Sequence, residues 1–163
     1  MSEMTIQSAR LGLVLKTPAE VLARIEALSP ADRAEISPDW LARVQASTAA
    51  DPWIHGFCIV DRASGAAIGT CGYKGPPDAE GVVEIAYGVE PECRGRGYAT
   101  EAAMALVDFA LGNDGVRLVR AHTLPDNAAS AQVLRKCGFK QVGEAVDDED
   151  GLVWRWERTK TPA

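Results

Sequence analysis

Six consecutive residues, Arg94-Gly95-Arg96-Gly97-Tyr98-Ala99, have the types and spacing to hold an anion. Two glycines alternate with two arginines just ahead of an alanine-rich segment of helical character. The first amides of a helix have no intrahelical acceptor and point at one locus, where the helix dipole adds partial positive charge. Glycine, lacking Cβ, lets a phosphate approach the backbone closely, and the arginines raise the local charge. The bland alternative is a tight turn with solvated arginines; the strand before it and the helix after it favour a pyrophosphate cradle. Two phosphate motifs are excluded by residues that their chemistry requires. A P-loop ends in G-K-[ST], which this sequence lacks. A dinucleotide-binding turn needs G-x-G-x-x-G or A, with an acid about 20 residues further on. Here Gly95-x-Gly97 is followed by Thr100, and the next strand ends Arg120-Ala121-His122-Thr123 without an acid.

The elements that must position this turn follow from periodicity. Residues 82–89 alternate as a strand, with Val83, Ile85, Tyr87 and Val89 on one face and Glu84, Ala86 and Gly88 on the other. A largely buried helix is predicted over 97–111, ended by Asn113-Asp114-Gly115. A strand over 116–124 follows, then a helix capped by Asp126 or Asn127 that runs to Lys136 and breaks at Gly138. Two closing strands, 139–144 and 152–158, flank the acidic turn 147–151. Upstream, 54–60 and 67–74 read as a β-hairpin around Asp61-Arg62-Ala63-Ser64-Gly65. Thr17-Pro18-Ala19-Glu20 has the capping pattern for a helix carrying Val21, Leu22, Ile25 and Leu28 on one face, and Ser37-Pro38-Asp39 opens a second helix. Residues 6–15 can include a short opening strand. The strand–helix–strand stretch implies a parallel pair and the hairpins imply antiparallel ones, so the fold class is α/β with a mixed sheet. At 163 residues the chain suits one domain, 1–163, with a mostly helical segment over 1–50 and a core over 54–158.

With both features in place, the sequence resembles the GNAT acetyltransferases. Their [Q/R]-x-x-G-x-[G/A] signature is matched by Arg94, Gly97 and Ala99. A second block, Asn127-Ala128-Ala129-Ser130 with Val133-Leu134 and Lys136-Cys137-Gly138-Phe139, is similar to the branch containing the ribosomal-protein alanine acetyltransferases, as is Glu84-Ile85-Ala86-Tyr87-Gly88-Val89. The resemblance covers roughly 54–158. It implies a GNAT-like fold with a bulged central strand and helices on both faces, and an N-terminal helical segment covering the acceptor side. It implies direct transfer of an acetyl group from acetyl-CoA to an amine, on a peptide or a small molecule, with no metal. Main-chain groups near Val89 would pair with the pantetheine, Arg94, Gly95, Arg96, Gly97, Tyr98 and Ala99 would hold the pyrophosphate, Asn127 would lie near the pantetheine or a water, and Phe139 would pack behind the second helix. The tyrosine that many members carry seven positions after the asparagine is Leu134 here. That departure keeps open a second reading, an acyl-CoA-binding module without turnover; other acyl thioesters, such as succinyl-CoA, also fit the cradle.

An attacking amine must be neutral. At pH 7 this costs about 4–5 kcal/mol for a lysine and about 1 for an α-amine, so a general base helps. Glu84 is the candidate, alternatively an ion-paired residue of the sheet surface; Glu101 is its rival, read as a cap or salt bridge near Arg96. Ser130, on the face of Asn127, can relay a proton to the leaving thiolate or simply bond to the backbone. Cys93 and Cys137 would need a paired histidine to act as nucleophiles. Trp154 and Trp156 share a strand face, Trp40 and Trp53 can border the acceptor, and His55 and His122 read as structural.

Composition bounds the partners. A net charge of −6 argues against nucleic-acid binding, no apolar run reaches the roughly 20 residues of a membrane span, and no secretory pattern opens the chain, so a cytoplasmic protein is expected. The four cysteines, 58, 71, 93 and 137, show no zinc spacing. An exposed edge strand near the C-terminus would suit a homodimer.

Overall fold

The computed structural model describes residues 4–147 and 151–160, so residues 148–150 of the expected acidic turn lie outside them. Thr5–Gln7 (β1) and Leu11–Leu15 (β2) form an antiparallel pair. Three helices follow, Pro18–Glu26 (α1), Pro30–Ala34 (α2) and Pro38–Ala46 (α3). Each begins with a hydroxyl and a proline: Thr17, Ser29 and Ser37 accept from the amides of Glu20, Asp32 and Trp40. These caps satisfy first-turn donors, and Thr17 with Glu20 completes the capping box. The Ser29-Pro30 start of α2 carries the same signal but had no apolar stripe to announce it; none of its residues is buried. Of the first 50 residues, 5–7 and 11–15 are therefore strand, and the three helices lie between 18 and 46.

Phe57–Asp61 (β3), Ala67–Tyr73 (β4) and Val82–Val89 (β5) continue the sheet, then come Tyr98–Leu111 (α4), Leu118–Thr123 (β6), Ala128–Lys136 (α5), Lys140–Asp147 (β7) and Gly151–Thr159 (β8). The strand expected from residue 54 starts at Phe57. The amides of Ile54 and His55 both turn back to the Asp51 carbonyl, at 3.0 Å each, and the chain enters β3 through Gly56 at φ 75°. The sheet order is β1-β2-β3-β4-β5-β6-β8-β7, with the last strand inserted between β6 and β7, which leaves β7 at an edge. All pairings are antiparallel except β5 with β6.

One sheet face carries Leu11, Leu13, Phe57, Ile59, Val83, Ile85 and Val119, all buried under α4. Ala102, Ala103, Ala105 and Ala110 let this helix sit close to the strands, while Leu106 and Val107 fill the remaining space. Each fully buried large side chain in this layer contributes about 1.5–3 kcal/mol. Ala131 and Leu134 of α5 join the same core, whereas α1 and α3 share a small separate cluster, Val21, Ile25 and Val44.

The two neighbours of β5 treat it differently. Its pairing with β6 covers only Val82–Leu118, Val83–Val119 and Glu84–Arg120, then stops. Its register with β4 runs unbroken from Ile85–Tyr73 to Val89–Gly69. The irregularity expected of the central strand thus takes the form of a divergence: β5 and β6 part after Glu84 and open a wedge in the sheet.

Candidate active site

The wedge is a cavity of about 240 Å³ walled by β5, β6 and the start of α5, including Tyr87, His122, Asn127 and Ser130. Glu84 directs its carbonyl, and Glu90 its amide, toward β4. Strand backbones alternate every residue, so the main-chain groups of Tyr87 and Val89 face the side that β6 has left. They are hydrogen-bonding groups without a strand partner at the place where a ligand amide would need them.

Past Val89 the chain makes a short 3-10 turn, Pro91–Cys93, and enters α4 through Gly97. Gly95 and Gly97 sit at φ 80° and 81°, the left-handed region where a side chain is strained. Gly97 caps α4 without a side-chain hydrogen bond, so the first-turn amides of Tyr98, Ala99 and Thr100 carry no side-chain cap. Arg94 and Arg96 are exposed; Arg94 Nε donates to the Val89 carbonyl at 3.4 Å. Of the six residues of the expected cradle, Arg94–Gly97 make the turn that leads out of β5 and Tyr98 and Ala99 open α4.

Glu101 does not pair with Arg96. It is held by the β1–β2 turn: Ser8 Oγ bonds its Oε2, and the Arg10 amide and Nε donate to its two oxygens at 2.8 Å each. Arg10 continues onto the cradle, donating from a terminal nitrogen to the Arg96 carbonyl at 2.9 Å and stacking 4.6 Å over the Tyr98 ring. Burial pushes the Glu101 carboxyl up, but the bonds from Ser8 and Arg10 and the Arg10 charge more than offset this, so it lies below its ordinary range. Arg10 escaped sequence reading because 86 residues separate it from Arg96.

Glu84 and Ser130 lie on two separate networks. Glu84 Oε2 accepts from Lys74 Nζ at 2.8 Å and lies 2.9 Å from His122 Nδ1. Arg155 Nε donates to His122 Nε2 at 3.4 Å. An arginine only donates, so Nε2 is the acceptor and Nδ1 carries the proton that His122 gives to Glu84. Glu84 does not line the wedge; Lys74 and His122 do, and they stand between its carboxylate and the cavity. His122, read from sequence as structural, lines the wedge and bonds to Glu84. A diagonal relation across the short β5–β6 pairing places it there, two residues past the partner of Glu84.

Ser130 Oγ lies 3.0 Å from the Tyr87 hydroxyl, and its amide donates to Asn127 Oδ1 at 3.0 Å, which makes Asn127 the N-cap of α5. Burial raises the Tyr87 phenol above its ordinary 10, although the Ser130 bond acts the other way, so it stays protonated near neutral pH. Leu134 is fully buried in the core and Phe139 packs there with it. The phenol that the second helix lacks is instead supplied to the wedge by β5.

A second, larger cleft of about 570 Å³ adjoins the wedge and shares Lys74, Ala86 and Tyr87 with it. Its far walls include Lys16, Ile36, Trp40, Ile54 and His55. Trp40 gives its indole N–H to the Ile54 carbonyl at 2.7 Å and so presents its ring as an apolar wall. Trp53, expected beside it, packs instead against Tyr73 and Phe109, with ring centroids 4.7 and 5.7 Å away. Burial raises the Cys137 thiol to about 11, and its Sγ contacts the Thr100 carbonyl, so it is not a thiolate nucleophile. Trp154 and Trp156 do share a face, with centroids 6.5 Å apart.

The family profile described as an acetyltransferase (GNAT) domain matches residues 11–140, most of the chain and all of the wedge and cradle. This chain belongs to the GNAT acetyltransferase family. An uncharacterized N-acetyltransferase of Bacillus subtilis, YjdG, is 35% identical over 89 residues, which are 55% of this GNAT chain and 51% of the relative. The chain spans about half the length of the curated relatives it matches. Among solved structures, RimL, a ribosomal α-N-protein acetyltransferase in complex with coenzyme A, superposes with a TM-score of 0.70 at 16% identity, covering 96% of this chain and 98% of the other. An aminoglycoside acetyltransferase bound to coenzyme A and kanamycin gives 0.63 at 20% identity, covering 92% and 95%. At these identities the likeness is one of fold. No helix among the described residues is long and apolar enough to cross a membrane.

Proposed function

We propose that this chain transfers an acetyl group directly from acetyl-CoA to a primary amine, and that the two adjoining cavities hold the two substrates. The observation that carries this reading is their junction: the wedge between the parted strands meets a second cleft at Tyr87, Ala86 and Lys74, and the glycine-rich turn into α4 follows the same strand β5. Acetyl-CoA fits the first cavity. The main-chain groups of Tyr87 and Val89, which have no strand partner on that side, suit its amides, and Arg94, Gly95, Arg96, Gly97, Tyr98 and Ala99 suit its pyrophosphate. Asn127, on the wedge wall, keeps its amide nitrogen for the same ligand. The cofactor supplies an activated acetyl carbon and a thiolate leaving group.

The chain's residues then divide the proton work. As the new C–N bond forms and the C–S bond breaks, Arg155 Nε gives up the His122 Nε2 lone pair and the amine proton passes to that nitrogen, with Glu84 stabilising the resulting imidazolium through Nδ1. Glu84 is in this reading a positioning residue and proton acceptor at one remove. The departing sulfur takes a proton from the Tyr87 phenol, with Ser130 holding the hydroxyl in line and restoring the proton from water. Helices α1 and α3 cover the acceptor side.

Incubation with acetyl-CoA and a panel of amines and N-terminal peptides, with free thiol monitored, tests the reading. Amine-dependent thiol release is expected, and Glu84→Gln should lower kcat, because the charge that His122 gains in the transfer then has no carboxylate at Nδ1. Tight coenzyme A binding with no amine-dependent release would replace transfer by a binding module, and an unaltered kcat in Glu84→Gln would remove Glu84.

A further inference from the structure

The acceptor cleft has a chemical bias of its own. Of the residues that line it, Lys16 and Lys74 are charged and none is an aspartate or glutamate. Lys74 is already paired with Glu84. Lys16 makes no ion pair among the described residues. It lies half-buried where β2 ends, its amide bonded to the Gly56 carbonyl at 3.0 Å, which sets it beside His55.

His55 is only 3% exposed, and its Nδ1 accepts from the Asp51 amide at 2.9 Å. The neutral ring therefore carries its proton on Nε2, and that buried Nε2–H has no acceptor among the described residues. A buried donor without a partner costs free energy unless something else accepts from it. An ammonium and an imidazole N–H on one wall, with no carboxylate lining the cleft, form a site for an oxyanion. The other wall is the Trp40 ring with Ile36 and Ile54.

We propose that the acceptor is a small amine bearing a carboxylate, such as an amino acid, whose carboxylate is bound by Lys16 and His55 while its amine reaches toward Tyr87 and Lys74. The proposal rests on the acetyl-transfer reading for the identity of the reacting group, but the anion site stands on the cleft alone. Burial, with Arg24 nearby, holds the Lys16 ammonium below its ordinary range, so an arriving anion stabilises a charge that the fold leaves poorly compensated. Glu20, the carboxylate near enough to act on it, is engaged in the α1 capping box. The buried Cys71 thiol beside it, raised to about 12, is neutral and offers no counter-charge. Polycationic amines meet the opposite condition, two lysines and no carboxylate.

The test compares kcat/KM for L-amino acids with that for their carboxamides, beside spermidine and kanamycin, in the wild type and in Lys16→Met and Lys16→Arg. Peptide amides with an acidic second residue form a further arm, which separates a free amino acid from an acidic peptide as the source of the carboxylate. The expected result is a carboxylate preference of about tenfold or more, lost in Lys16→Met and largely kept in Lys16→Arg. Thermal unfolding verifies that the variants are folded. Equal use of carboxylates and carboxamides, or a preference for spermidine or kanamycin, overturns the proposal and leaves acetyl transfer standing. If no amine releases thiol, acetyl transfer falls, and binding of the N-acetylated amino acids against their carboxamides by calorimetry then decides the anion site. Tighter binding of the carboxylates, lost in Lys16→Met, supports the site; no difference, or no binding, sinks it.

Discussion

The proposed cofactor end and the proposed acceptor end of this molecule are built in different ways. The cradle is one contiguous segment, Arg94 to Ala99, whose recognition groups are mainly backbone amides at a helix N-terminus. The acceptor cleft is gathered from the end of β2, the start of α3, the turn before β3, and strands β4 and β5. Groups supplied by backbone geometry need glycines at fixed spacing and leave a readable signature. Groups supplied by scattered side chains leave none, because nothing ties Lys16 to Trp40 or Thr70 except the fold.

The largest expected effects fall on the backbone-built end. Gly97→Val places a branched side chain at a left-handed φ of 81°, with its Cβ 3.3 Å from Arg10. Titration with coenzyme A should show affinity weakened on the order of 100-fold, from strain of about 1–3 kcal/mol together with a misdirected set of amides. Affinity within a fewfold of wild type would break the contrast between backbone and side-chain recognition. At the junction of the two ends, Tyr87→Phe should lower kcat by about 100-fold with little change in KM. In the wild type the phenol, raised above 10 by burial, keeps its proton and its activity through neutral pH and loses both only at strongly alkaline pH; the variant should lack that alkaline fall.

Replacing both Arg94 and Arg96 by alanine should raise the dissociation constant for coenzyme A about tenfold at low salt and less at high salt, since both side chains are exposed. An unchanged constant would remove the pyrophosphate assignment. The smallest effect is indirect. Glu101→Gln loosens the Ser8–Arg10 latch, so coenzyme A affinity should fall only a fewfold, and stability by about 1 kcal/mol or less in this partly solvated setting. The folded-state pKa of Glu101 is depressed, so its contribution is present above the unfolded value of about 4.3 and is lost as pH falls through the folded value. The melting-temperature gap between wild type and variant should therefore close on acidification below about pH 4; a gap that persists there would mean that Glu101 acts by packing rather than charge.

Legibility followed the range of the interactions. The capping residues Thr17, Ser37 and Asn127, the alternation of 82–89, and the glycine break at 138 act within a few residues, and each lies where the sequence indicates. The start of β3 was misjudged by three residues because the Asp51 turn, not hydrophobic pattern, decides it. Glu84 was legible as a carboxylate on the outer face of the central strand, but its partners come from elsewhere, Lys74 just past the end of β4 and His122 in β6. Tyr87 was legible only as part of an apolar alternation, and its bond to Ser130 spans 43 residues.

By itself, then, the sequence determined the order of elements, the mixed sheet and the glycine-rich turn that opens α4, because caps, periodicity and glycine-rich turns are set by local sterics and hydrogen bonding. Only the tertiary structure decided that β5 and β6 part after Glu84, that β8 slots between β6 and β7, that Arg10 braces the cradle and that Lys16 and His55 share a cleft. Those outcomes depend on which distant strands share a register, and the free energy that selects a register is spread over the whole buried sheet face rather than written in any one segment.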